Sequence, residues 1–263
     1  MIQASSEVYT EHVASTDGTK IAYARTGSGP PLVLVHGSLN DRNAWGAVLP
    51  ALAQRYTVYA MDRRGRGASG PPAEHDLQRE FEDVVAVIDA AGAPVDLIGH
   101  SYGAHCALGA AAMAPEKIKH LVLYEPPTID VARQGLGEAF SAPDPSSAVE
   151  AFMAHIGLTP DEVAALKATP FFAYLVSFSR TMPYEARALG AHGFDASRYR
   201  ALTMPALFLA GSVTQEHLGE VMRQLKASSM PHAEWVTFEG QGHGAMLTAP
   251  TQFTDTVLEF LAR

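Results

Sequence analysis

Six short apolar runs constrain this chain more than any other feature. They lie at residues 32–35, 56–61, 95–98, 121–124, 205–210 and 233–238. The run "LVLV", closed by His36-Gly37, has no polar alternation, which fits a strand buried on both faces of a parallel sheet. Helical patterns separate the runs at 43–54, 75–91, 102–113, 215–227 and 251–262. In the second of these, Leu77, Phe81, Val84, Val85 and Ile88 form one apolar stripe. Strands alternating with helices predict an α/β protein with a mostly parallel eight-stranded sheet and helices on both faces. An N-terminal hairpin completes the count. Its strands, 7–15 and 20–25, flank the turn signal Asp17-Gly18.

The alternation fails between Pro126 and Tyr199, where proline-punctuated helical segments such as "DPSSAVEAFMAHIGL" and "TPFFAYLVSFSRTM" follow one another. An insertion of short helices is the simplest account. It carries Phe140, Phe152, Phe171, Phe172, Phe178 and Phe194, six of the eleven phenylalanines, so a lid over a hydrophobic or aromatic substrate is expected.

Composition narrows the function classes. A length of 263 residues with 47% hydrophobic and 18% charged residues suits one compact α/β domain. A net charge of −9 disfavours a nucleic-acid partner, and Arg63, Arg64 and Arg66 are too few for an electrostatic footprint. The single cysteine, Cys106, has no internal partner, the first residues lack a signal-peptide pattern, and no apolar run approaches a membrane span. A cytoplasmic protein with no membrane partner is expected, as a monomer or homodimer. No metal-ligand spacing such as H-E-x-x-H occurs, and "DRRGRGAS" lacks the phosphate-loop pattern, so neither metal nor cofactor is implied.

The chemistry concentrates in Gly99-His100-Ser101-Tyr102-Gly103. This G-x-S-x-G follows a buried run, "PVDLI", and precedes a helical pattern, "YGAHCALGAAAMA". A strand–turn–helix of this kind exposes the serine Oγ on a strained turn and aims helix N–H groups at the same space. Together with "LVLVHGS", "MDRRGRGAS", "LVLYEPP", "PALFLAG" and "FEGQGHGAM", the motif resembles the α/β-hydrolase fold superfamily nearly end to end.

The resemblance implies a core domain of residues 1–126 and 199–263 and a helical cap over 127–198. It implies Ser101 as nucleophile, His243 as general base, and the backbone N–H groups of Ser38 and Tyr102 as the oxyanion hole. In most members the acid follows the penultimate strand, where this chain has Val213 and Thr214. Some branches, lactone hydrolases among them, carry the acid one strand earlier, at the tip of the sixth strand. Glu125, in "HLVLYEPP", occupies that place; Glu216 and Asp195 are the alternatives. The expected function is a serine hydrolase cleaving a carboxylic ester or lactone through an acyl-enzyme. Alternatives are a small-molecule receptor on the same fold, or acyl transfer, perhydrolysis or C–C hydrolysis by the same triad.

Overall fold

The structure, a computed structural model, describes residues 9–71, 75–128, 139–140 and 143–263. Eight strands form one sheet in the order β1-β2-β4-β3-β5-β6-β7-β8. The hairpin of β1 (Tyr9–Ala14) and β2 (Lys20–Gly27) pairs antiparallel, and β2 continues antiparallel onto β4 (Thr57–Met61). Residues 7 and 8 of the expected first strand lie outside the described residues. The others run parallel: β3 (Pro31–Val35), β5 (Val95–His100), β6 (Ile118–Tyr124), β7 (Ala206–Gly211) and β8 (Glu234–Phe238).

The strands divide their side chains between two cores. On β3, Val33 and Val35 face one helical layer while Leu32 and Leu34 face the other. This is the period-2 alternation of a strand covered on both sides. The first layer is built on α2 (Leu77–Ala91) and α3 (Tyr102–Met113). Helix α2 starts where Asp76 accepts from the Arg79 N–H and stops at Gly92, which takes a left-handed conformation. Its apolar stripe holds Leu77, Phe81, Val84, Val87 and Ile88; the expected Val85 is only partly buried. The second layer uses α1 (Leu49–Leu52) and, at the C-terminus, α9 (Ala245–Thr248) and α10 (Pro250–Leu261).

The expected helix over 43–54 is two shorter pieces, a 3-10 turn at Arg42–Trp45 and then α1. Pro50 accounts for the break: it has no N–H to donate back into a preceding turn, so it sits in the first turn of a new helix. Likewise the helix expected at 215–227 opens as a 3-10 turn, Glu216–Gly219, before α8 (Glu220–Ser228).

Between β6 and β7 lie α4 (Pro145–His155), α5 (Pro160–Lys167), α6 (Pro170–Ser177) and α7 (Met182–His192). Each has proline in its first turn, where a missing N–H is harmless. Parts of the expected 127–198 insertion, residues 129–138 and 141–142, lie outside the described residues. No helix among those described is long and apolar enough to cross a membrane.

Candidate active site

The sheet order brings the sequence candidates to one edge. Strand β5 lies between β3 and β6, so Ser101, just past β5, is flanked by the loop holding Ser38 and by Glu125, just past β6. Carboxyl ends of parallel strands line the crevice of such sheets. Ser101 has φ 55° and ψ −125°, a strained backbone for a residue with a side chain. The turn is held because its N–H donates to the Tyr124 carbonyl (2.8 Å) and because both neighbouring glycines are sterically required. A Cβ on Gly99 would stand 2.6 Å from Ala104 Cα in α3, and one on Gly103 would stand 2.4 Å from the Val35 carbonyl of β3.

Glu125 is fully buried and also has a left-handed backbone, φ 45°. Its Oε1 accepts from the Gly211 N–H (2.8 Å). Its Oε2 accepts from Thr214 Oγ1 (3.2 Å) and from His243 Nδ1 (2.5 Å). A carboxylate on Nδ1 fixes that nitrogen as the protonated one, leaving Nε2 as the bare acceptor. Nε2 is buried and has no hydrogen-bond partner among the described residues, and His243 borders the same cavity as Ser101. Of the alternatives, Glu216 is exposed and begins the 3-10 turn before α8, and Asp195 is exposed and accepts from the Ser197 N–H. Neither contacts His243.

Three further residues hold this arrangement, and each reads in the sequence as an ordinary strand or loop position. Burial keeps His100 well below the usual histidine range, so it is neutral. Its Nε2–H donates to the His243 carbonyl (2.7 Å). The Tyr124 hydroxyl donates to the Gly242 carbonyl (2.5 Å) and accepts from the Ala245 N–H (3.1 Å), clamping the His243 loop on both sides. Thr214, which stands near the place where most members carry the acid, donates its hydroxyl to the Glu125 carboxylate. His36 donates from Nδ1 to the Gly37 carbonyl (2.8 Å) and accepts the Arg63 N–H at Nε2 (3.1 Å), which braces the loop carrying Ser38. Cys106 is buried, and burial pushes its thiol well up, so it stays a neutral thiol.

Two chambers meet at Ser101. Ser38, Ser101, Phe152 and Ile156 line both. One, about 450 Å³, extends past Tyr102 to Phe140, Met182, Glu185 and Leu189. The other, about 580 Å³, extends past His243 to Leu39, Phe171, Leu175, Met246 and Leu247. Of the six phenylalanines between β6 and β7, Phe140, Phe152 and Phe171 face the chambers; Phe172, Phe178 and Phe194 pack in the first core. Among the described residues no group of three or more His, Cys, Asp or Glu is arranged to hold a metal ion.

Residues 32–256 match the alpha/beta hydrolase family. The chain belongs to that family. As an alpha/beta hydrolase it is 30% identical over 244 residues to N-formylmaleamate deformylase from Pseudomonas putida, a match covering 87% of this chain and 88% of the relative. An alpha/beta hydrolase from Sphaerobacter thermophilus superposes with TM-score 0.83 at 32% identity, over 95% of this chain and 100% of that one. The esterase RhEst1 from Rhodococcus superposes with TM-score 0.76 at 28% identity, over 96% and 98%.

Proposed function

We propose that this alpha/beta hydrolase is a serine hydrolase that cleaves a carboxylic ester or lactone through an acyl-enzyme. Ser101 is the nucleophile, His243 the general base, Glu125 the acid, and the N–H groups of Ser38 and Tyr102 the oxyanion hole. Residues 127–198 act as a cap over the site. The observation that carries this reading is the 2.5 Å contact of Glu125 with His243 Nδ1, which leaves Nε2 bare beside the cavity of a strained Ser101.

In the reaction Nε2 takes the proton of Ser101 Oγ as it attacks the carbonyl carbon. Charge develops on the carbonyl oxygen, where two N–H groups stabilise it; one such donor contributes about 3 kcal/mol. Collapse expels the alcohol, which receives its proton from His243. Water, deprotonated by the same nitrogen, then releases the acid. Glu125 stabilises the imidazolium at each stage.

The deformylase likeness favours a second reading, hydrolysis of a carbon–nitrogen acyl bond by the same residues. Turnover of a panel of p-nitrophenyl esters, lactones and N-formyl amides separates the two. Ser101→Ala is expected to abolish release of p-nitrophenol while far-ultraviolet circular dichroism stays unchanged. Tight binding of a panel member without repeated turnover of any would sink both readings in favour of a receptor.

A further inference from the structure

The Tyr102 chamber is apolar over most of its wall, yet Glu185, on α7 and 3% exposed, lines it. A buried carboxylate is retained only where other groups hold it. Here its Oε1 accepts from Arg66 Nη2 (2.5 Å) and is ion-paired with Arg63, whose Nη2 lies 2.8 Å away. Arg63 also makes a two-pronged pair with Glu80, Nε to Oε2 and Nη2 to Oε1, both 2.7 Å. Glu80 in turn accepts from His75 Nε2 (3.0 Å). Two guanidinium groups therefore face two carboxylates. Tyr102 lines the same chamber, with Arg63 stacked 4.1 Å over its ring, and its buried hydroxyl has no hydrogen-bond partner among the described residues.

The mechanism orients a substrate across the two chambers. His243 must hand its proton to the leaving group, so the leaving group lies in the apolar chamber that His243 lines. The acyl part then extends into the chamber of Tyr102 and Glu185. We propose that Glu185, held by Arg63 and Arg66, is a specificity residue that selects an acyl group ending in an uncharged hydrogen-bonding group. A primary amide fits best: its N–H donates to the Glu185 carboxylate and its carbonyl accepts from the Tyr102 hydroxyl. A terminal carboxylate would face Glu185 with like charge and no proton to donate. This assignment rests on the serine-hydrolase reading above.

The test uses p-nitrophenyl esters of three acids of similar length: heptanoic acid, adipic acid monoamide and adipic acid. In the native protein kcat/KM for the amide-ended ester exceeds that for the carboxylate-ended ester by roughly tenfold or more, the worth of one hydrogen bond to a charged group. Glu185→Gln uncovers the arginines, and the ratio moves toward the carboxylate by at least roughly tenfold. Arg66→Met is the mirror image and shifts preference toward the 6-aminohexanoate ester. A scaffolding role for Glu185 would lower all rates together. Calorimetric titration of the same esters into Ser101→Ala reads the chamber without turnover. Amide-selective binding with no turnover by the native protein keeps the subsite and rejects the hydrolase reading. Turnover without discrimination, or equal losses on all esters in Glu185→Gln, overturns the subsite. Neither turnover nor discrimination overturns both.

Discussion

Glu125 holds a left-handed backbone that ordinary residues avoid, at a strand tip where nothing apolar is gained. Three hydrogen bonds to its carboxylate, from Gly211, Thr214 and His243, hold it there. If its role is to orient and charge-stabilise His243, then Glu125→Gln will lower kcat by about three to four orders of magnitude with little change in KM, read by stopped assays on the best ester. Glu216→Gln will be silent in the same assay. Tyr124→Phe removes the hydroxyl that spans the Gly242 carbonyl and the Ala245 N–H. Both backbone groups then lose a partner, so a stability loss of about 1–3 kcal/mol in urea unfolding is expected. A fall in kcat should accompany it, because the His243 loop loses its clamp.

At the scale of elements, the loop after β4 and helix α2 are joined by buried ion pairs. Arg63 meets Glu80, and Arg64 meets Asp83 through two contacts of 2.6 and 2.7 Å. The sequence shows these arginines as a short basic cluster and these acids as breaks in an apolar stripe. Only packing of α2 against the sheet makes them partners. Burial opposes charge on Glu80, but Arg63 overrides it and holds the carboxyl well below its ordinary range. Removing one member strands the other in a dry interior. Glu80→Leu should therefore cost about 3–5 kcal/mol by urea denaturation, more than truncating an exposed pair such as Lys167 with Glu150.

Across the whole molecule, buried histidines are expected to lower stability in acid. Burial pushes His105 down to about 4 while its Nε2–H donates to the Pro127 carbonyl, and burial pushes His155 down to about 4 beside His217. His36 and His100 are also held well below their usual range by burial. The unfolded chain takes up protons near pH 6.5, roughly, while the native protein refuses them. Stability from these groups is thus fully present above that pH and is lost as pH falls toward about 4. His105 alone accounts for a loss on the order of 3 kcal/mol. Urea midpoints should fall steadily between about pH 7 and about pH 5; a flat profile would contradict the buried neutral state of these rings.

The sequence by itself determined the strands and the strand–turn–helix around Ser101, and it showed an acid at the tip of the run that ends at Tyr124, because each is a local signal. An apolar run, a G-x-S-x-G between strand and helix, and an acid at a strand tip are all visible within a few residues. The break at Pro50 was equally local, yet the apolar pattern across 43–54 masked it. Tertiary structure alone decided that Glu125 and not Glu216 meets His243. That contact spans 118 residues of chain and depends on β6, β7 and β8 lying side by side in that order. It also decided that His100, Tyr124 and Thr214 brace the site, and that Arg63, Arg66 and Glu185 share one charged cluster. Residue type announces a donor or a charge, but its partner is fixed by packing. In a buried site the partner determines whether the group positions a catalytic ring, selects a substrate or only balances a neighbour.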